Sequence, residues 1–167
     1  MLSRDQLIER LKSVKLLSLD VDGVLTDGGL YYAEDGLPLR KFNVKDGLGM
    51  KRAMEAGVEV AIVSAATMAS IHHRGEFLGI RHVFTAVADK LETVGTLCQE
   101  LGISLAEVAH VGDDLNDIPL MGQIGCPLTV AGAVPEVLGV AAYVTERPGG
   151  EGAVREICDL LVASRGG

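Results

Sequence analysis

Asp20, Asp22, Ser64, Lys90, Asp113, Asp114 and Asp117 lie at, or shortly after, the ends of apolar runs, where side chains can do chemistry. The first run, Leu16-Leu17-Ser18-Leu19, stops abruptly in Asp20-Val21-Asp22-Gly23. Side chains alternate along a strand, so two acids one residue apart cannot share a strand face. A strand that ends at Asp20 leaves Asp22 in the turn, free to swing back to the same pocket. That pair suits a hard divalent cation together with a carboxylate nucleophile and a separate acid/base. Asp-x-Asp-Gly is also an ordinary turn sequence, favoured for conformational reasons alone. A second run, Val108-Ala109-His110-Val111, leads into Gly112-Asp113-Asp114-Leu115-Asn116-Asp117, with acids at i and i+4 of a strand-to-helix turn. Backbone N–H groups there would face any bound anion. Taken singly, Ser64 is a helix cap and Lys90 a solvated surface charge. If the strand ends share one sheet edge, the carboxylates crowd together, and like charges that close require a counter-cation.

The elements between these residues decide whether they can meet. Periodicity and breakers predict helices over 5–13, 46–56, 67–78, 90–101, 115–124, 133–138 and 151–163. Strands are predicted over 58–64, 82–87, 128–130 and 142–144, besides the two acid-bearing ones. Strands alternating with helices of 10–13 residues specify an α/β fold, a three-layer, doubly wound parallel sheet of Rossmann-like type. Asp35-Gly36 between two apolar segments marks a β-hairpin insertion over about 29–42. Pro38 keeps that hairpin outside the main sheet. No linker or repeat interrupts the chain, so residues 1–167 are expected to form a single domain.

Composition narrows the partners. The 167 residues are 48% hydrophobic and 4% aromatic without Trp, so the core must be built from Val, Leu, Ile and Ala. A net charge of -8 argues against nucleic acid. Cys98, Cys126 and Cys158 lie far apart, as reduced thiols do. The N-terminus has no signal-peptide pattern and no apolar run approaches ~18–20 residues. No membrane partner and a cytoplasmic location are expected.

In order and spacing, Asp20-Val-Asp22-Gly-Val-Leu-Thr-Asp27, Ser64, Lys90 and Gly112-Asp113-Asp114-x-x-Asp117 resemble the four motifs of the haloacid dehalogenase superfamily. Lys41-Phe-Asn-Val-Lys-Asp46-Gly, Arg74, Leu78-Gly-Ile80, Asp89-Lys90 and Gly149-Gly-Glu-Gly-Ala-Val-Arg-Glu156 are similar to its small capless branch. That branch is typified by the 3-deoxy-D-manno-octulosonate 8-phosphate (KDO 8-phosphate) phosphatases. The likeness runs over about residues 14–160.

The resemblance implies a Mg²⁺-dependent phosphomonoesterase without a cap domain, acting on a phosphorylated 2-keto-3-deoxy sugar acid. It makes Asp20 the nucleophile that becomes an aspartyl-phosphate and Asp22 the acid/base. Mg²⁺ would be held by Asp20, the Asp22 carbonyl and Asp113. Ser64 and Lys90 would bind phosphoryl oxygens, with Asp114 and Asp117 behind them. Asp27, Lys41, Asp46, Arg74 and Arg147 are the implied substrate-binding residues. The branch usually carries Thr/Ser-Gly-Arg at the second motif; this chain has Ser64-Ala65-Ala66, so the hydroxyl is kept while the glycine and the cation are not. His72, His73 and Arg74 could supply that charge, although two neighbouring histidines also fit an exposed helical face. A nonulosonate 9-phosphate is the alternative substrate, and a weakly catalytic oligomerisation module the alternative role. A phospho-accepting receiver domain would want its acid at the end of the third strand, where 84–87 carries none. The resemblance also implies a homotetramer whose hairpins associate, with Arg147 and the 149–152 loop completing a neighbour's cleft.

Overall fold

The computed structural model describes residues 1–166. The chain runs α1 (Arg4–Leu11), β1 (Leu16–Leu19), the hairpin β2 (Tyr31–Tyr32) and β3 (Pro38–Leu39), α2 (Val44–Glu55) and β4 (Glu59–Val63). It continues through α3 (Ala69–Leu78), β5 (His82–Phe84), α4 (Lys90–Leu101), β6 (Val108–Val111), α5 (Ile118–Met121) and β7 (Cys126–Ala131). The last elements are α6 (Pro135–Val140), β8 (Tyr143–Pro148) and α7 (Ala153–Ser164). Six strands form one sheet in the order β5-β4-β1-β6-β7-β8, and every neighbouring pair is parallel. The chain steps outward from β1 to β5, then crosses back to β6 and steps outward to β8. The crevice between β1 and β6 is therefore the switch point at which open α/β sheets bind ligands.

Alternation sorts the core into two layers. Leu17, Leu19, Val60, Ile62, Ala109 and Val111 pack with Leu7, Leu11, Met50, Ala53, Ile71 and Ile157, from α1, α2, α3 and α7. Leu16, Ala61, Val63 and Val108 pack with Val94 and Leu97 of α4 and Leu120 of α5. Strands buried on both faces need apolar residues at every position. In the two central strands Ser18 and His110 break that rule: both are fully buried, paired in register across β1 and β6. By alternation both point toward α4 and α5.

Most element ends fall within two residues of the sequence reading; the larger differences include β5, which ends at Phe84 rather than 87. The helix expected over 115–124 is a 3₁₀ turn, Leu115–Asp117, followed by the four-residue α5. The carboxylate of Asp117 reaches back to the N–H groups of Asp113 and Asp114, which tightens the turn. β7 begins two residues before Leu128, with Pro127 opposite His110. β8 extends to Pro148 rather than ending at 144. The hairpin forms its own two-stranded sheet, Tyr31 opposite Leu39 and Tyr32 opposite Pro38. Asp35 Oδ1 accepts from Leu37 N at 3.1 Å within its turn.

Candidate active site

The ends of β1 and β6 bring the two acidic motifs together over the first turn of α4. Asp20 is 6% exposed. Its Oδ1 accepts from Val21 N at 2.7 Å, and its Oδ2 lies 2.9 Å from Lys90 Nζ. Lys90 is the first residue of α4, whose N-cap Asp89 accepts from Glu92 N at 3.0 Å. That ammonium is buried and donates a second bond to Asp117 Oδ1 at 2.6 Å. Two glycines let the loops close in. A Cβ on Gly23, at φ +82°, would stand 1.8 Å from Asp113 Oδ2, and one on Gly112 would stand 2.2 Å from Asp117 Cγ. The turn bearing Gly23 is pinned by Thr26, whose hydroxyl accepts from Gly23 N and Gly28 N and donates to Val21 O.

The carboxylates strain against one another electrostatically. Burial, followed by the charges of Asp20, Asp117 and Asp114, pushes Asp113 up to about 7. Burial also raises Asp20, with Lys90 opposing it. Asp113 Oδ1 is buried without a hydrogen-bond partner. Oxygens of Asp20, Asp113 and Asp117 lie within 4.8 Å of one another. An all-oxygen donor set, an orphaned carboxylate oxygen and excess negative charge fit a hard divalent cation.

The opposite wall is open. A cleft of about 520 Å³ is lined by Asp20, Asp22, Ser64, Asp113 and Asp114, with Ala65 and Ala66 on its rim. Ser64 is 2% exposed, and its Oγ accepts from Ala66 N at 3.1 Å, which leaves the hydroxyl proton to donate. Asp22 is engaged by a residue that sequence reasoning passed over. Arg40, just after β3, donates from Nε to Oδ1 at 2.6 Å and from Nη2 to Oδ2 at 2.8 Å. Arg40 thus adds a guanidinium beside the cleft, in addition to the Lys90 ammonium. Its neighbour Lys41 pairs instead with Asp27 at 2.7 Å, with the lysine side chain 53% exposed.

Asp46, Arg74 and Arg147 lie elsewhere, around the start of α7. Asp46 is buried, and its Oδ1 accepts from Arg155 N at 2.8 Å, capping a helix whose own N-cap residue is Gly152. Arg74 donates to Asn43 O at 3.0 Å and lies over the rings of Phe42 and Phe77. Arg147 lines a separate hollow with Lys45 and Arg155. His72 bonds Thr85 Oγ1 at 2.9 Å, outside the cleft. Gly150 of the 149–152 loop donates to Val24 O at 3.0 Å, so the loop rests on this chain's own first-motif turn. The other residue missed from sequence is His110. A four-residue strand buried at every position carries no periodicity to single out its polar member; the only signal was a histidine inside an apolar run.

Comparison with known proteins extends this geometry. Residues 79–157 match the family model of haloacid dehalogenase-like hydrolases. The KdsC 3-deoxy-D-manno-octulosonate 8-phosphate phosphatase of Escherichia coli K12 is 42% identical over 159 residues, 95% of this chain and 85% of that protein. The crystal structure of the same phosphatase from Yersinia pestis superposes with TM-score 0.93 at 40% identity, covering 95% of this chain and 86% of that one. The Moraxella catarrhalis phosphatase, crystallised with magnesium, phosphate and KDO, gives TM-score 0.93 at 34% identity, covering 96% and 92%.

Proposed function

Because the chain belongs to the haloacid dehalogenase-like hydrolases, in the group of the 3-deoxy-D-manno-octulosonate 8-phosphate phosphatases, we propose that it is a Mg²⁺-dependent KDO 8-phosphate phosphatase. The observation that carries this reading is the Asp20–Lys90–Asp117 chain set against Asp113 at the β1/β6 switch point.

Asp20 attacks phosphorus in line while the ester P–O bond to the sugar breaks, giving an aspartyl-phosphate. Asp22 protonates the departing alkoxide, then takes a proton from the water that attacks the same phosphorus. Phosphate leaves and Asp20 is restored as a carboxylate. The free N–H of Lys90 and the hydroxyl of Ser64 donate to the phosphoryl oxygens, where charge spreads in the transition state. Asp20, Asp113 and the Asp22 carbonyl would hold Mg²⁺, which offsets the charge of the carboxylates and the phosphoryl group. Asp117 fixes Lys90, and Asp114, at the cleft, would order the hydration of the cation. Asp22 must release one arm of Arg40 to carry its proton.

The chain is read as one domain that works as a homotetramer in the cytoplasm, with buried, unpaired Cys98, Cys126 and Cys158 and no helix among the described residues long and apolar enough to cross a membrane. The hairpin supports self-association: Leu30, Tyr31, Tyr32, Leu37 and Leu39 are 47–67% exposed, an apolar surface one copy leaves uncovered. In that assembly Asp27, Lys41 and a neighbour's Arg147 region meet the sugar acid. Asp46 acts by holding α2 against the start of α7, and Arg74 by tying α3 to the start of α2.

A phosphate-release panel with Mg²⁺ tests the reading. KDO 8-phosphate is expected to be the best substrate. Preference for a nonulosonate 9-phosphate would move the specificity, and no release from any sugar phosphate would overturn the reading.

A further inference from the structure

His110 belongs to no motif that led to this function, yet it is fully buried and shares a carboxylate oxygen of Asp117 with Lys90. Its Nδ1 lies 3.0 Å from Ser18 Oγ and its Nε2 lies 2.8 Å from Asp117 Oδ1. Asp117 Oδ1 also takes the 2.6 Å bond from Lys90 Nζ, while Asp117 Oδ2 accepts from the N–H groups of Asp113 and Asp114. Ser18 and His110 are opposite one another in the β1/β6 register and face the layer that carries Lys90 and Asp117.

One protonation pattern satisfies every group in this chain. Ser18 Oγ–H donates to Nδ1 and Nε2–H donates to Asp117. A doubly protonated ring would turn the Ser18 hydroxyl into an acceptor and leave its proton without a partner in a site sealed from water, at a cost of about 1–3 kcal/mol. Seryl, imidazole and carboxylate in a row resemble a hydrolytic triad, but Ser18 is fully buried and cannot reach substrate. The row acts inward instead.

We propose that His110 is a positioning residue for Lys90: by donating to Asp117 Oδ1, it shares that carboxylate with Lys90 and keeps the ammonium poised over Asp20. Asp117 is fully buried, and its Oδ1 is held between the two side-chain donors, His110 at 2.8 Å and Lys90 at 2.6 Å. Without the imidazole N–H, Asp117 Oδ1 has Lys90 as its sole side-chain donor. The ammonium is then drawn toward Asp117, away from Asp20 and the phosphoryl oxygens. Since Lys90 acts most strongly where charge builds up, the loss falls on kcat rather than on KM.

This inference rests on the phosphatase reading, and the test separates the two. Wild type, His110→Leu, His110→Gln and Ser18→Ala are assayed on KDO 8-phosphate and on p-nitrophenyl phosphate, with thermal midpoints alongside. Glutamine is included because its terminal NH₂ can take the place of Nε2–H. His110→Leu is expected to lose about ten- to one-hundredfold in kcat on both substrates, as loss of a supporting partner does, with KM within about twofold. His110→Gln is expected to recover most of that loss, and Ser18→Ala to lose about threefold or less, since the ring keeps its Asp117 bond. A Leu variant with wild-type kcat overturns the proposal, and so does a Gln variant as impaired as Leu. If the Leu variant fails to fold, an active Gln variant beside an inactive His110→Met supports the proposal, and two equally impaired variants overturn it. A wild type that hydrolyses neither substrate overturns the phosphatase reading instead.

Discussion

The two walls of the cleft are built on different physics. On the buried wall Lys90, Asp20 and Asp117 have side chains no more than 9% exposed, and each polar atom is claimed by a partner at 2.6–3.1 Å. On the open wall the side chains of Asp22 and Asp27 are 42% and 27% exposed, and their cations come from the hairpin segment: Lys41, 53% exposed, and Arg40, itself only 4% exposed but paired to a carboxylate that meets water. Ion pairs of similar length mean different things in the two places. In a low-dielectric interior, loss of one partner strands a charge, whereas at the surface water replaces it. The buried wall therefore fixes geometry, and the open wall can rearrange as substrate enters.

The largest predicted effect breaks the buried wall at the nucleophile. Asp20→Asn should lower kcat by at least about 10⁴, the order expected when a covalent nucleophile is removed, with an unchanged circular dichroism spectrum. Lys90→Ala should cost both activity and about 3–5 kcal/mol of stability in urea melts, because Asp20 and Asp117 are left uncompensated. A Lys90→Ala protein as stable as wild type would mean that the buried wall is wetter than this comparison requires.

Asp113 gives the comparison a pH axis. Its folded-state value, about 7, lies above the ordinary 3.8. The folded protein thus binds that proton more tightly, so the contribution of Asp113 to stability is fully present below 3.8 and is lost as pH rises through 7. Metal-stripped protein should melt at progressively lower temperature from pH 5 to pH 8. Mg²⁺ favours the ionised carboxylate and should remove most of that slope, adding about 2.7 kcal/mol at 100 times its dissociation constant. Scanning calorimetry with EDTA and with Mg²⁺ checks both; parallel curves would contradict the metal assignment.

The smallest effects belong to the open wall. Arg40→Ala frees Asp22 and should reduce turnover of an alkyl phosphate by up to about tenfold. p-Nitrophenyl phosphate, whose leaving group needs little protonation, should stay within about twofold. Lys41→Ala should leave the melting temperature where it was, since its partner Asp27 lies at the surface.

What the sequence disclosed follows the same division. Asp20, Ser64, Lys90 and Asp113 were legible because each follows a strand of a parallel sheet, and such sheets gather their ligands at one edge. The sheet itself was legible because apolar runs alternate with helical periods. Arg40 was not. The hairpin strands are two residues each, too short for alternation to say which of Arg40 and Lys41 turns toward Asp22. His110 and Ser18 were hidden for another reason: in a strand buried on both faces, a polar residue is intelligible only once its cross-strand partner is known. The strand expected over 128–130 is longer at both ends, Cys126–Ala131, and carries Pro127 within it.

The central claim is that Asp20 carries the phosphoryl group. Rapid acid quench of enzyme, Mg²⁺ and KDO 8-phosphate in the first turnover, followed by peptide mass spectrometry, tests it most directly. The account predicts a phosphorylated peptide spanning Leu16–Lys41, with the modification on Asp20, that disappears as substrate is consumed and is absent from Asp20→Asn. Phosphate release with no such peptide at any quench time, or with the phosphoryl group on a different side chain, would contradict it.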